Sequence, residues 1–202
     1  MKAPTRIQQE KTEKILDAAL DVFSAHGFRG ATLDQIADAA GLSKPNLLYY
    51  FPSKEAIHGT LIDRLLENWL APLHALDNEG DPIDEICAYI RRKLEMARNF
   101  PRESRLFANE ILHGAPRIGD RIEGMLKELV DEKAGLIRLW AREGKIEPVD
   151  PYHLIFSIWS TTQHYADFEV QVRGILGETD PVDDAAEYLT GLFTRGLAPG
   201  RS

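Results

Sequence analysis

The 202-residue sequence has little of what several protein classes require. It contains one cysteine, Cys87, which excludes an internal disulfide and a thiolate metal site. Its longest unbroken apolar runs, LLYYF at 47–51 and ICAYI at 86–90, have five residues, far short of the roughly 20 that a membrane-spanning helix needs. The polar start MKAPTRIQQEKTEK has no apolar core of the kind that signal peptides carry. These features predict a cytoplasmic protein with no membrane partner.

Motifs for catalysis and for cofactors are missing as well. The sequence has no GxGxxG, no phosphate-binding loop and no HExxH, and its six histidines are scattered. Ser160, His164 and Asp167 are the residue types of a hydrolytic triad, but at i, i+4 and i+7 on one predicted helix they would run side by side. We therefore predict no enzyme activity, no cofactor and no metal, and we keep a small hydrolase using these three residues as an alternative.

Charge is distributed unevenly along the chain. The totals are 24 Lys and Arg against 32 Asp and Glu, a net charge of −8. Residues 1–56 hold seven cations and seven anions, whereas residues 57–202 hold 17 cations and 25 anions. The acidic excess thus lies entirely in the later part, and a DNA-binding unit at the amino terminus is compatible with the charge. The cationic run Arg91, Arg92 and Lys93 is interpreted as a solvated helix face, with contact to an anionic effector as the alternative.

Helical spacing of apolar residues recurs throughout, and no alternating strand pattern persists, so we predict an all-α fold. The first helix is expected over 6–25, ended by Gly27 and Gly30. Thr32 and Gln35 have the spacing of a capping box. Further breaks carry Pro or Gly, and they bound the remaining predicted helices, which follow Ser43 and Ser53 and then lie near 82–99, 101–113, 117–143, 150–173 and 182–197.

The segment TLDQIADAAGLSKPNLLYYFPSKEAI at 32–57 is typical of a helix-turn-helix, in which the second helix enters the major groove of DNA. Leu47 and Phe51 are four residues apart and should face inward. The side chains expected to face outward near the start of the second helix are Lys44, Asn46, Tyr49 and Tyr50.

Each outward side chain has a contact open to it. Lys44 can donate to guanine or to a phosphate, and Asn46 to adenine or a phosphate. Pro45 and the Tyr49 ring suit a thymine methyl group. Thr32 and Lys54, at helix starts, suit phosphate oxygens.

These residues, together with the GF at 27–28, resemble the tetracycline-repressor (TetR) family of transcriptional regulators. The resemblance implies a homodimer of about nine helices per subunit that binds a double-stranded DNA operator. It implies a DNA-binding domain over 1–56 and an effector-binding and dimerisation domain over 57–202. Lys44, Pro45, Asn46 and Tyr49 match base-reading positions of the family. Thr32, Tyr50 and Lys54 match its phosphate contacts, whereas Leu48 stands where the family often has an aromatic residue.

The later part of the chain looks like the pyrimidine-utilisation regulators of that family, which implies uracil or thymine as effector. From the residues themselves, the Trp69 and Trp159 rings suit a flat heterocycle, and the amide of Gln163, one helical turn from Trp159, matches an imide edge. Phe107 is expected to close the pocket. Two readings stay open: these aromatic residues are plain core, or the effector is another hydrophobic ligand of a regulator of efflux or catabolic genes. The stretches that carry the likeness are LENWLAPLHAL (66–76), YIRRKLEMARNFPRESRLFANEIL (89–112), LVDEKAGLI (129–137) and PYHLIFSIWSTTQHYADF (151–168).

A third reading is a helical dimerising protein with no DNA target. Trp140 is interpreted as core, and the apolar faces at 154–168 and 182–197 as core or dimer interface rather than as a membrane surface.

Overall fold

The computed structural model describes residues 5–177 and 179–200, and its regular elements are all helices. They are grouped in two compact units. Unit 1 comprises residues 5–67 together with 105–118, and unit 2 comprises the described residues of 68–104 and 119–200. The predicted helical fold is confirmed.

Unit 1 contains three helices ahead of a long fourth helix. The first, α1, reaches five residues beyond the predicted end, because the chain bends at Gly27 (φ 64°) and then continues helical to Gly30. Thr32 and Gln35 form the predicted capping box, and Leu47 and Phe51 are buried as predicted. Arg64 donates two hydrogen bonds to the Glu13 carboxylate (2.7 and 2.8 Å), which ties the fourth helix to the first. The helices are α1 (Arg6–Gly30), α2 (Leu33–Ala39), α3 (Lys44–Tyr50) and α4 (Lys54–His74), with α6 (Pro101–Leu112) mostly in the same unit.

Unit 2 is a helical bundle with one continuous apolar core. Buried side chains of four of its helices meet in this core. Trp140 is fully buried there and donates its indole N–H to Asn78 (2.8 Å). The interpretation of Trp140 as core is confirmed. The helices of this unit are α5 (Pro82–Asn99), α7 (Gly119–Arg121), α8 (Lys127–Arg142), α9 (Pro151–Asp167), α10 (Glu169–Leu176) and α11 (Val182–Leu197).

Two of the predicted helices are divided in the structure. The one expected over 117–143 contains a π-helical stretch, Ile122–Leu126, where the backbone of Gly124 leaves helical geometry. The one expected over 150–173 breaks at Phe168, which has non-helical φ and ψ, and so becomes α9 and α10. Apolar spacing continues across both breaks, which is why periodicity alone predicted single helices.

Candidate functional site

The short helix α3 is built to present one face to its surroundings. The Ser43 side chain caps it by accepting from the Asn46 backbone N–H (3.4 Å), and Pro45 stands in the first turn, where its missing N–H does no harm. Leu47 anchors the helix and is fully buried. The opposite face of the helix is exposed to solvent.

Four of the predicted base-reading side chains, Lys44, Pro45, Asn46 and Tyr49, are exposed together and form what we call the recognition surface. The Tyr49 side chain is 73% exposed, an unusual state for an aromatic residue. Tyr50 differs from the outward position predicted for it, because it is half-buried with its ring edge-on to that of Tyr49 (centroids 5.2 Å apart). It lies at the border of the surface.

The ammonium of Lys44 is paired with the Asp34 carboxylate at 2.9 Å. Both side chains are largely exposed, so the pair is screened by salt and adds little stability. The Asp34 carboxylate therefore competes with a phosphate or a guanine edge for the charge of Lys44.

The two other predicted phosphate contacts already have structural roles. The hydroxyl of Thr32 donates to the Gln35 amide oxygen (2.9 Å) and caps α2. The Lys54 ammonium donates to the carbonyls of Phe28 (2.8 Å) and Ala31 (2.7 Å) and lies over the Phe28 ring. Lys54 thus holds the start of α4 against the end of α1.

In unit 2, Tyr89 and Lys93 of α5 contact Trp159 of α9 and Trp69 of α4, respectively. We call these four residues and Gln163 the effector cluster, after the role that the sequence predicts for Trp69, Trp159 and Gln163. The Trp159 indole N–H donates to the Tyr89 hydroxyl at 2.6 Å, which pins α9 to α5. Burial raises the pKa of Tyr89, so its hydroxyl stays neutral. Gln163 lies one helical turn beyond Trp159 and is half-buried.

Lys93 belongs to this cluster and not to a solvated face, so the interpretation of the run from Arg91 to Lys93 was wrong for its last member. Arg91 and Arg92 are exposed, but Lys93 is only 5% exposed. The reason is helical geometry: Lys93 is four residues after the buried Tyr89 and therefore shares its inward face. Its ammonium lies 5.0 Å from the centre of the Trp69 ring.

Asp167 supplies the opposite charge near this ammonium. It accepts a short hydrogen bond from the Ser104 hydroxyl. Burial lowers the pKa of Lys93 to about 8, and the negative charge of Asp167 opposes that shift. Since a pKa near 8 leaves the amine mostly protonated at neutral pH, the cluster contains a buried cation.

The remaining predicted site residues have these positions. Phe107 is half-buried on α6 in unit 1, so its role in closing an effector pocket stays a prediction. Of the discounted triad, Ser160 donates to the Ser157 carbonyl (3.1 Å), and His164 stacks on Phe168 with ring centres 4.9 Å apart. Neither contact resembles a catalytic relay.

Comparison with known proteins identifies the kind of protein. The family model described as bacterial regulatory proteins, tetR family, matches residues 15–58. The model described as YcdC-like protein, C-terminal region, matches residues 62–200. The HTH-type transcriptional regulator RutR of Escherichia coli (strain K12) is 52% identical over 199 residues, which are 96% of this chain and 94% of that protein. The chain belongs to the TetR family.

Further matches to transcriptional regulators support this assignment to the TetR family. The HTH-type transcriptional regulator EthR of Mycolicibacterium smegmatis is 31% identical over 134 residues, covering 63% of this chain and 59% of that protein. Among solved structures, the putative transcriptional regulator SCO4942 from Streptomyces coelicolor superposes with a TM-score of 0.69 at 26% identity, over 93% of this chain and 98% of that one. AibR, solved with isovaleryl coenzyme A and operator DNA, shares the fold (TM-score 0.68, 19% identity, covering 90% and 97%). This TetR-family protein is therefore a transcriptional regulator with a helix-turn-helix, and its relatives are regulators rather than enzymes.

Two further searches of the described residues were negative. No helix in the described part of this TetR-family chain combines the length and apolarity that crossing a membrane requires. Across 5–177 and 179–200, no group of three or more His, Cys, Asp or Glu side chains is placed to hold a metal ion.

Lys93 is the candidate functional residue that sequence reasoning assigned to a solvated face. The available signal was its position four residues after Tyr89, on the inward face of a strongly amphipathic helix. A lysine on that face is rare in proteins unless a partner compensates it.

Proposed function

We propose that this protein is a dimeric repressor-type regulator whose operator binding is controlled by a free pyrimidine, uracil or thymine. The observation that carries the DNA-binding part is the exposed recognition surface on α3. The pyrimidine part depends on the resemblance to pyrimidine-utilisation regulators and on the chemistry of the effector cluster.

On DNA, Lys44, Pro45, Asn46 and Tyr49 would read base edges in the major groove. Each bidentate contact of this kind discriminates by roughly 1–3 kcal/mol, so a few suffice. Thr32, Tyr50 and Lys54 would contact phosphates at the edges of the same footprint. Because Lys54 already donates to two carbonyls, its third N–H is the one available to a phosphate.

In the dimer, two recognition helices would address half-sites one helical turn apart, about 34–36 Å. The dimer interface is proposed on α9 to α11, because large apolar side chains there are exposed to solvent in the single chain. Exposed apolar surface of this extent marks an association surface. The side chains are Phe156, Phe168, Val170, Ile175, Leu176, Tyr188 and Leu192.

For the effector, we propose that uracil or thymine lies against the indole faces of Trp69 and Trp159, with its imide edge on Gln163. The Gln163 amide offers one acceptor and two donors, and an imide edge presents their complements. A site that pairs an imide rejects analogues without one, because its own buried polar groups would stay unpaired.

The signal would travel along α4. This helix begins at Lys54, beside the DNA-binding residues, and carries Trp69 in its last turns. The effector acts only if it binds one of two conformations better than the other, and the disfavoured one is the spacing that fits the operator. Operator DNA as the target places this action in the cytoplasm.

The test is a gel-shift experiment. A duplex selected from a random library by the wild-type protein is titrated with protein, and then with uracil, thymine or cytosine. We expect tight binding that uracil or thymine releases. Selective binding that no pyrimidine affects would leave a TetR-type regulator with a different ligand, and failure to select any duplex would refute DNA reading.

A double variant, Lys44→Ala with Tyr49→Phe, should weaken duplex binding at least tenfold while leaving uracil binding unchanged. Arg142→Ala is the matched control, because it removes an exposed cation from unit 2 far along the chain from α3. Equal loss with the control would mean that the binding is non-specific.

A further inference from the structure

The effector cluster contains an ammonium, that of Lys93, which makes no hydrogen bond to any of the described residues although the charge of Asp167 lies near it. Lys93 is 95% buried, and within residues 5–177 and 179–200 its ammonium forms no hydrogen bond to a protein oxygen. The ammonium nitrogen is not among the fully enclosed polar atoms that lack a partner, so it keeps some access to solvent. The ammonium nitrogen lies 5.0 Å from the centre of the Trp69 ring. An ammonium carries three N–H donors, and here they are open to a ligand or to water rather than bonded to the protein.

The surroundings keep this ammonium in place. Tyr89, one turn earlier on α5, is buried and bonded to Trp159, which fixes the register of α5 against α9. The charge of Asp167, two turns beyond Trp159 on α9, favours the protonated amine. The Trp69 ring adds a cation–π attraction. Lys93 is thus held as a cation by the Trp69 ring and the charge of Asp167, with no hydrogen bond to the described residues.

We propose that the Lys93 ammonium is the specificity-determining donor of the effector site, and that it binds a carbonyl or anionic oxygen of a flat ligand lying against Trp69. This inference rests on the proposed function, since it concerns the same site. It adds a requirement: the ligand must carry an oxygen toward α5. An exocyclic amino group in that position would bring its own N–H donors against an ammonium, so oxo-pyrimidines are accepted and amino-pyrimidines are rejected.

The primary experiment compares wild type with Lys93→Met by calorimetric titration of uracil and of cytosine. Methionine keeps the length and apolar volume of the lysine stem and removes the charge. Hydrogen bonds to charged groups are among the stronger ones, so uracil should bind about tenfold to a hundredfold more weakly to the variant. Cytosine should bind poorly to both proteins. Arg92→Met, an exposed neighbour on the same helix, is the matched control and should bind uracil like the wild type.

The unliganded proteins give a second, independent measurement. If Lys93 serves a ligand rather than the fold, Lys93→Met should melt at the same temperature as wild type or higher, because it removes a buried charge that makes no hydrogen bond to the described residues. Should Lys93→Met fail to fold, the lysine is structural and the inference is wrong. Lys93→Gln, which keeps donors without the charge, should retain part of the uracil affinity.

The outcomes separate the two proposals. Equal uracil binding by wild type and Lys93→Met would overturn the role of Lys93 and leave the pyrimidine effector intact. No uracil or thymine binding by wild type would overturn the pyrimidine effector, and the melting comparison would then decide the role of Lys93: a lower melting temperature in the variant would overturn it.

Discussion

The buried histidine of unit 1 predicts a loss of stability in mild acid. His58 is 1% exposed, and its ring meets those of Phe23 (5.1 Å) and Phe28 (5.0 Å) edge-on. Its Nε2 lies 3.8 Å from a carboxylate oxygen of Glu110, and its Nδ1 has no hydrogen-bond partner in the described structure. Burial lowers the pKa of His58 from 6.5 to about 4, so the folded protein holds the ring neutral.

Four nearby charges act on the same group. Glu110 and Glu55 favour the protonated ring, whereas Arg117 and Lys54 disfavour it, and burial remains the largest effect. The net pKa in the folded state is therefore depressed relative to the unfolded chain. Below pH 6.5, His58 binds a proton in the unfolded chain but stays neutral in the folded protein. The free energy of unfolding therefore falls as the pH is lowered from 6.5 toward 4.

The size of the effect follows from the two pKa values. One pKa unit corresponds to about 1.4 kcal/mol, and the difference in proton binding between pH 7 and pH 5 integrates to about 2 kcal/mol. That is a change of about thirtyfold in the ratio of folded to unfolded protein. For a protein of marginal stability it is a large fraction of the total.

The assay is urea unfolding followed by far-ultraviolet circular dichroism at pH 7, 6 and 5. His58→Phe keeps a ring between Phe23 and Phe28 but cannot be protonated. Wild type should lose about 2 kcal/mol more than His58→Phe between pH 7 and pH 5. His153→Gln, which changes an exposed histidine, should follow wild type. Parallel pH profiles for wild type and His58→Phe would refute the reasoning.

Three further predictions concern DNA binding and the cores. Lys44→Ala should lower the slope of log affinity against log salt by about 1 in gel shifts if Lys44 contacts a phosphate, and an unchanged slope would exclude that contact. Asp34→Asn should tighten duplex binding, because it removes a carboxylate that competes for Lys44, and weaker binding would contradict this. Leu47→Ala should destabilise the protein by about 2–5 kcal/mol in urea unfolding, since the side chain is fully buried; a change below about 1 kcal/mol would mean that α3 is not anchored there.

Much of the DNA-binding unit could be predicted from the sequence because its signals are local. A capping box, a proline in a first turn and apolar residues four apart act within a few residues of each other. For that reason the start of α2, the inward direction of Leu47 and the exposed face with Tyr49 all agree with the structure. Tyr50 and Lys54 were less predictable, because what they touch depends on the packing of other helices.

The contacts of the effector cluster, in contrast, could hardly be predicted from the sequence. Trp69 and Trp159 stood out as rare residues, but nothing local indicated that Trp159 donates to Tyr89, 70 residues away. Lys93 looked like part of a charged run, because the sequence shows which residues are charged but not which way each side chain points. Apolar periodicity likewise did not indicate the helix breaks at Gly124 and Phe168.

By itself, the sequence determined the helical class, the helix-turn-helix and the family, because these depend on short-range hydrogen bonding, helical periodicity and ordered motifs. Only the tertiary structure decided that Lys93, one member of a cationic run, is buried beside the Trp69 indole. It also decided that His58 is buried against the rings of two phenylalanines. The physical reason is that desolvation depends on side chains brought together from distant parts of the chain, and it is desolvation that turns an ordinary charge into a candidate recognition group.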